Sequence, residues 1–200
     1  MLAVATAARR GELVALKDDA VDLDAGTVTV RASLANTRAT KAERAAGAPA
    51  TILKGTKSGK PRSVPLDADA LGLLRRLKAE RAAAQLLAAP GTYRNEGFVF
   101  ADRFGQRVKL GAPTKAFRDI ADAAGLPKDL TLHSLRHSFA SWAFSRGADI
   151  VAVQRVMGHS VPSTTLNLYA SYVEGGREKA VAAVGDAPRS SQASALTAKK

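Results

Sequence analysis

The predicted strands and helices of this chain are separated along the sequence, and this separation restricts the fold more than any other feature. Short runs of β-branched residues beside turn residues predict extended segments in residues 20–34 and 51–66. Beyond Pro127 the pattern is helical, over residues 132–146, 149–157, 163–172 and 178–184. Strands that come early and helices that follow, without regular alternation, predict an α+β domain that is mainly helical and has a small antiparallel β-sheet.

Turn residues join the predicted strands into two hairpins. Residues 24–26 separate the first pair of strands, and residues 58–60 are expected to join the second pair. Residues 36–50 lie between the two hairpins, have no clear period and predict a surface insertion. After the second hairpin, Asp67 can cap a helix that has leucines along one side, namely Leu71, Leu74, Leu77, Leu86 and Leu87.

Three shorter patterns complete the predicted domain. Residues 2–16 predict one or two short helical turns, residues 97–100 a brief buried strand, and residues 113–125 another helix. We expect residues 1–185 to form one domain. Residues 186–200 lack aromatic side chains and have few large apolar ones, so we expect this tail to be disordered.

The charge of the chain predicts an acidic polymer as its partner. The 30 lysines and arginines exceed the 18 aspartates and glutamates and give a formal net charge of +12. The tail of residues 186–200 has three basic residues and one acidic residue, so +10 remains on the predicted domain. Ribosomal, chromatin and membrane-surface proteins share such an excess, so charge alone does not identify the partner.

The absence of cysteine excludes several kinds of site. Thiol nucleophiles, disulfides and zinc sites with thiolate ligands all require it. No apolar run approaches the length of a membrane span, and the first arginines follow the short apolar start, whereas a secretory signal has its basic residues first. We therefore expect a cytoplasmic location and no membrane partner.

The three histidines lie close together in the sequence, between residues 133 and 159. His133 and His137 have the spacing of a zinc-binding helix, but Ser134 stands where the hydrolytic zinc motif needs glutamate, so we expect no metal. Arg136 projects from the same helix face as His133, and the two could engage one phosphate. Alternatively, Arg136 lies on a solvated helix face with a histidine packed beneath it.

The sequence TLHSLRHSFASWAFSRGADIVAVQRVMGHSVPSTTLNLYASY at residues 131–172 carries a more specific signal. It resembles the second half of the catalytic domain of tyrosine recombinases of the phage integrase family. That family has a His-x-x-Arg-His box, a Gly-His-Ser turn and a run of threonines before the nucleophilic tyrosine. The matching positions in this chain are His133, Arg136, His137, Gly158, His159, Ser160, Thr164, Thr165 and Tyr169.

Two further segments resemble the same family. TAARRGELVAL at residues 6–16 is similar to its first arginine box, with the catalytic arginine at Arg9 and a supporting glutamate at Glu12. TKSGKPRSVPL at residues 56–66 is similar to the β-hairpin that presents a catalytic lysine, at Lys57 here. The resemblance therefore covers roughly residues 6–172 and implies the fold of that catalytic domain.

The resemblance implies a transesterification that uses no metal, ATP or other cofactor. Tyr169 would attack the phosphorus of a DNA phosphodiester and form a 3′-phosphotyrosyl ester. Arg9 and Arg136 would bind the non-bridging oxygens, and Lys57 would protonate the leaving 5′ oxygen.

The remaining family positions imply supporting roles. His133 would take or return a proton, and His159 would hydrogen-bond the phosphate. Glu12 is expected to be a buried brace for Arg9, and His137 is expected to pack below its helix.

Some of these assignments have competitors. Tyr172, one helical turn after Tyr169, is the alternative nucleophile, and Lys54 and Lys60 compete with Lys57 for the role of general acid. Trp142, within an apolar string, is expected in the core.

The chain departs from the family pattern near Arg9. The family usually has glycine and a large apolar residue where this chain has Ala7 and Ala8, and alanine adopts a positive φ angle only at a free-energy cost. Ser134 replaces the usual acidic residue of the histidine box. These departures leave every catalytic group in place.

The function implied by the resemblance is strand exchange on double-stranded DNA, in the integration or excision of a mobile element. Family members act as homotetramers on paired sites, and residues 178–184 could form the helix that docks on a neighbour. Two alternatives stay open: a catalytically inert DNA-binding fragment, and DNA relaxation of the type IB topoisomerase kind. We also expect that the family's amino-terminal DNA-clamp domain is not part of these 200 residues.

Overall fold

The computed structural model describes residues 1–56, 60–159 and 161–173. Within them the helices are α1 Leu2–Ala5, α2 Arg10–Val14, α3 Lys41–Ala45, α4 Ala68–Leu87, α5 Ala112–Ala123, α6 Ser134–Ser145, α7 Ile150–Met157 and α8 Pro162–Val173. The strands are β1 Val21–Asp22, β2 Thr27–Val30, β3 Ala32–Asn36, β4 Thr51–Gly55 and β5 Arg62–Pro65. This mainly helical arrangement with small antiparallel sheets confirms the predicted α+β class.

The β1–β2 hairpin forms where its turn residues predict it. The Asp22 carboxylate accepts hydrogen bonds from the backbone N–H of Asp24 and of Ala25, at 3.1 and 2.8 Å. Gly26 follows with a φ angle of 65°, which glycine adopts without strain. The turn therefore matches the local chemistry of the sequence.

The second predicted hairpin is wrong in its pairing, although both of its extended segments exist. β4 pairs antiparallel with β3, and β5 pairs antiparallel with β2, in the order β1-β2-β5. Burial explains the choice, because Val28 and Val64 lie opposite each other and both are fully buried. The first two residues of the predicted turn at residues 58–60 lie outside the described residues.

The insertion between β3 and β4 is exposed, as predicted, but it contains a helix that the sequence analysis missed. The Thr40 hydroxyl accepts a hydrogen bond from the Glu43 N–H at 3.2 Å, and the Glu43 carboxylate accepts one from the Thr40 N–H at 2.6 Å. This reciprocal pair is a capping box, and its Thr-x-x-Glu pattern is visible in the sequence. No residue of α3 is buried, so capping rather than packing defines the helix.

Two hydrophobic cores flank the connection between α1 and α2. The larger one joins α1, α2, β2, β5 and α4, through Leu2, Leu13, Leu16, Val28, Val64, Leu74 and Val99. The smaller one joins α6 and α7 to the end of α1, through Ala7, Ala140, Phe144, Val153 and Met157. The segment that carries Arg9 is therefore held between two packed layers.

Three large apolar side chains on the helices are exposed, and one of them, Trp142, was expected in the core. Leu86 and Leu87 are 86% and 88% exposed, because the last turns of α4 extend past the core that holds Leu74. Trp142 is 64% exposed, with the Arg146 guanidinium 4.3 Å above its ring. On α6 the buried positions are instead Arg136, Ala140 and Phe144, which are spaced four apart along one face.

The predicted strand at residues 97–100 is only a pair of buried residues. Phe98 forms an isolated bridge with Lys17, and Val99 packs into the larger core. Among the described residues, no helix is long and apolar enough to span a membrane.

The two ends of α4 provide a matched test of this core. Leu74→Ala removes a buried side chain and should lower the free energy of unfolding by about 2–5 kcal/mol. Leu86→Ala makes the same chemical change at an exposed position and should alter it by less than about 0.5 kcal/mol. Urea unfolding of both variants measures the difference, and equal losses would contradict the described position of α4.

Candidate active site

Arg9 begins α2 after a strained backbone step at Ala7. Ala7 is fully buried and has a φ angle of 47°, in the left-handed region that costs a non-glycine residue about 1–2 kcal/mol. Alanine at this position, where glycine was expected, therefore strains the backbone. The Ala7 carbonyl accepts a hydrogen bond from the Arg136 guanidinium, and the Ala7 methyl group packs in the smaller core. These contacts offset the strain and fix the path into Arg9.

Glu12 lies beneath Arg9 and contacts it twice. Its carboxylate accepts hydrogen bonds from the Arg9 backbone N–H at 2.9 Å and from Arg9 Nη1 at 3.0 Å. Burial by itself raises the pKa of Glu12, but the hydrogen bonds and charge of Arg62, and then those of Arg9, lower it below its ordinary value overall. The carboxylate is therefore ionised, and the expected contact with Arg9 is present.

Arg62 is a second partner of Glu12 that the sequence analysis did not single out. Its Nη1 and Nη2 donate to Glu12 Oε1 and Oε2 at 3.2 and 2.6 Å. The sequence held one signal for this contact: Arg62 is two residues before Val64 in β5, so both side chains lie on one face of the strand. Because Val64 is buried, the Arg62 side chain on the same face is only 9% exposed.

Arg136 is 2% exposed, on the face of α6 that packs against α7 and Ala7. Its two terminal nitrogens donate to the carbonyls of Ala7 and Met157. Burial, followed by the charge of Arg9, lowers the pKa of Arg136 to about 9, so it stays a cation at neutral pH. A buried cation held by neutral carbonyls favours an anionic ligand nearby.

The carboxyl end of α7 holds three arginines at once. Its last carbonyls, which we call the carbonyl triplet, are those of Val156, Met157 and Gly158. Arg62 Nε donates to the first at 2.7 Å, Arg136 to the second, and Arg9 Nη2 to the third at 3.4 Å. A helix end leaves such carbonyls unpaired and carries partial negative charge, which favours cations.

Gly158 is required at the end of α7 for two reasons. It ends the helix with a φ angle of 60°, the left-handed conformation common at this position. A Cβ atom there would also lie 2.8 Å from Arg62 Nη1. The Gly158-His159 step that follows places His159 next to the arginines.

His159 is a neutral hydrogen-bonding group at neutral pH. Its Nδ1 lies 2.8 Å from the hydroxyl of Thr165, a fully buried residue of α8. Burial, then the charges of Arg136 and Arg9, lower the pKa of His159 to about 4. If Nδ1 accepts from the Thr165 hydroxyl, the opposite ring nitrogen carries the proton and can donate to a ligand.

His133 and His137 lie together at the start of α6. Their rings meet edge to face, with centroids 5.1 Å apart. Burial, then the charges of His137 and Arg136, lower the pKa of His133 from its ordinary value, so its ring is neutral and can accept a proton. His137 is exposed, so the expectation that it packs below its helix is wrong; Arg136 and Ala140 occupy the inward face there.

A cleft of about 360 Å³ opens over these groups, lined by His133, Arg136, His137, Met157, His159, Ser163, Thr164 and Asn167. A second cleft of about 530 Å³ adjoins it, because His133 lines both, and Arg9 lies in the second. Arg9, Arg62 and Arg136 together with Glu12 carry a net charge of +2. Among the described residues, no group of three or more acidic or histidine side chains could hold a metal ion. The site is therefore built to receive an anion.

Tyr169 is close to this site but does not line either cleft. It lies one helical turn after Thr165, and its ring packs edge-on against Phe144, with centroids 5.1 Å apart. It is 39% exposed.

Of the predicted site residues, the structure brings together Arg9, Glu12, His133, Arg136 and His159. Lys57, the predicted general acid, lies outside the described residues, while its competitor Lys54 is exposed on β4.

Comparison with known proteins gives a consistent result. The sequence profile of the phage integrase family matches residues 1–174. The tyrosine recombinase XerD of Listeria monocytogenes serotype 4b (strain F2365) is 35% identical over 161 residues, which cover 80% of this chain and 45% of that protein. A XerC-like tyrosine recombinase of Caldanaerobacter subterraneus subsp. tengcongensis is 27% identical over 190 residues, 93% of this chain and 48% of that protein. The chain thus spans about half the length of these curated relatives.

Solved structures show the same fold. The Tn1549 transposon integrase in complex with transposon right end DNA matches with a TM-score of 0.72 and 21% identity, covering 92% of this chain and 56% of that chain. The catalytic domain of bacteriophage HP1 integrase matches with a TM-score of 0.52 and 20% identity, covering 95% of this chain and 80% of that chain.

The low pKa of His159 predicts that the fold loses stability in mild acid. The ordinary value, which holds in the unfolded chain, is about 6.5, and the folded value is about 4. Between these values the unfolded chain binds a proton that the folded chain does not, so the free energy of unfolding falls as the pH is lowered. Urea unfolding at about pH 7.5 and about pH 5 checks this direction.

The variant His159→Asn tests whether His159 causes this loss of stability in acid. His159→Asn keeps an amide that can hydrogen-bond Thr165 but does not titrate, so its stability should fall less between the two pH values. The fall that remains would come mainly from His133 and, near pH 5, partly from Glu12, whose pKa values are also lowered. An equal fall in both proteins would contradict the described environment of His159.

Proposed function

Because the chain belongs to the phage integrase family, we propose that it carries the cleavage site of a tyrosine recombinase, which breaks and rejoins double-stranded DNA through a 3′-phosphotyrosyl ester. The observation that carries the proposal is the anion site itself. Arg9 and Arg136 are anchored on the carbonyl triplet, their neighbours His133 and His159 are neutral, and the net charge of +2 on the three arginines and Glu12 favours a bound anion. A DNA phosphodiester supplies that anion.

The cleavage step follows from these groups. The Tyr169 oxygen attacks phosphorus, a new phosphorus–oxygen bond forms, and the bond to the 5′ oxygen breaks, which releases a 5′ hydroxyl. The phenol proton goes to neutral His133, and Lys57 supplies the proton that the leaving oxygen takes. Rejoining reverses each transfer, so the reaction needs no external source of energy.

Charge stabilisation comes from the anchored arginines. Each uses two terminal nitrogens on protein oxygens, and five N–H donors on each guanidinium leave others for the non-bridging oxygens. His159 adds a hydrogen bond from the ring nitrogen opposite Thr165. Donors that are already in place need no reorganisation as the charge on phosphorus is redistributed.

Tyr169 packs against Phe144 and lines neither cleft, so in this proposal its side chain moves to reach phosphorus. Its position outside both clefts favours a second candidate function, in which this chain binds DNA without cleaving it. For the whole protein we propose site-specific integration or excision in the cytoplasm, by a homotetramer on paired sites. The transposon integrase that shares this fold was solved with the DNA of a transposon end, which supports a DNA partner here.

The decisive test is trapping of a covalent DNA adduct. The chain is incubated with a library of nicked duplexes, whose short cleaved fragment diffuses away, and the products are separated on a denaturing gel. Wild type and Tyr172→Phe should give an adduct and Tyr169→Phe should give none, because only the Tyr169 oxygen attacks phosphorus. An adduct lost only in Tyr172→Phe would move the nucleophile by one helical turn. DNA binding with no adduct from any of the three would support the non-cleaving alternative.

A further inference from the structure

We propose that Arg62 is a positioning residue of the cleavage site, which holds Arg9 and His159 toward one phosphate through Glu12 and the carboxyl end of α7. This proposal rests on the proposed function. Arg62 lies on β5, Glu12 on α2 and Val156 on α7, so one side chain ties together three elements that are distant in sequence. The side chains of Arg62 and Glu12 are 9% and 1% exposed.

Arg62 acts through other residues because it does not reach the ligand. It is absent from the described lining of both clefts, whereas Arg9, His133, Arg136 and His159 each line one of them. All three of its guanidinium nitrogens already donate to Glu12 or to the Val156 carbonyl. Its position is therefore fixed by protein oxygens alone.

The first effect of Arg62 is on the charge that Arg9 can offer to a phosphate. Glu12 is one carboxylate between two guanidinium groups. Arg62 holds both carboxylate oxygens, whereas the Arg9 side chain holds only Oε1, at 3.0 Å. Without Arg62, Glu12 would be free to pair fully with Arg9 and neutralise it. Arg62 thus leaves Arg9 in contact with Glu12 while most of the positive charge of Arg9 stays available to a phosphate.

The second effect is on the direction of the α7 end. Arg62, Arg136 and Arg9 bind three successive carbonyls of the carbonyl triplet, and His159 is the next residue. Arg62 also fills the space beside Gly158 where a Cβ atom would lie. Loss of its bond to Val156 would let the last turn of α7 shift, and His159 would shift with it.

Lysine at this position separates geometry from charge. A lysine keeps the positive charge, but its single ammonium cannot hold both oxygens of Glu12 and the Val156 carbonyl in the planar arrangement of a guanidinium. Arg81→Lys is the matched control. Arg81 also binds a carboxylate and a carbonyl, those of Asp18 and Val99, in a partly buried position, and it lines neither cleft.

The first experiment uses the three histidines, which all lie at the site, as proton NMR reporters in the DNA-free chain. In Arg62→Lys the titration midpoint of His159 should rise by at least about one pH unit toward 6.5, because a shifted α7 end admits water. Arg81→Lys should leave the midpoints of His133 and His159 unchanged. Unchanged midpoints in Arg62→Lys would overturn the proposal whether or not the wild type cleaves DNA, so this readout is independent of the proposed function.

The second experiment measures cleavage with the best wild-type substrate from the adduct library. At saturating DNA, Arg62→Lys should lower the single-turnover rate by roughly 10- to 100-fold, since small misplacements of this kind have such effects. Its DNA dissociation constant should change by less than about threefold, because Arg62 touches no phosphate. A normal rate in Arg62→Lys, or an equal loss in Arg81→Lys, would overturn the proposal.

A second variant covers the case in which Arg62→Lys does not fold. The double change Arg62→Gln with Glu12→Gln removes both charges of this buried pair together, so neither member is left as an unpaired charge, which is the usual reason for unfolding when one partner is removed. The same two measurements then apply, with circular dichroism to confirm the fold. A wild-type chain that gives no adduct, together with the predicted His159 shift, would refute the proposed function and retain the role of Arg62 in positioning.

Discussion

The rest of the structure depends on the attraction between one helix end and three guanidinium groups. The carbonyl triplet of α7 has no partners within its own helix, and arginines from α2, β5 and α6 supply them. A single carboxylate, Glu12, balances part of the resulting charge from below. The helical layer and the sheet layer are thus joined by polar contacts at the same place where an anion is needed, so stability and ligand binding draw on the same groups.

This arrangement accounts for two unusual backbone positions. Ala7 accepts a positive φ angle because its carbonyl then faces Arg136, and its methyl group fills the smaller core. Gly158 has no side chain because Arg62 occupies that space. Both residues are two or fewer positions from a group that we place on the phosphate, which makes the backbone geometry part of the site.

The sequence predicted the fold class, the first hairpin and the helices at residues 132–146, 149–157 and 163–172, because periodicity and turn chemistry are local. The helix predicted at residues 178–184 lies outside the described residues. It also predicted the cluster of Arg9, Glu12, His133, Arg136 and His159, since the order of the family motifs carries that information. It failed where the outcome depends on packing between distant segments. The pairing of β4 and β5 follows the burial of Val64 against Val28, and the exposure of Trp142 and His137 follows from where the core ends. Arg62 was missed because its place two residues before Val64 indicates which face of the strand it shares, but not which distant groups it contacts.

Anchoring on the main chain also has an evolutionary consequence. The groups that hold the three arginines are carbonyl oxygens of Val156, Met157 and Gly158, and every residue type provides the same oxygen. Drift among apolar residues at the first two positions therefore leaves the anchor intact, whereas any replacement of Gly158 collides with Arg62. Homologues should accordingly vary in side chain at positions 156 and 157, whose carbonyls bind the arginines, and keep glycine at position 158. A ranking of positions by sequence conservation would therefore overlook most of this anchor.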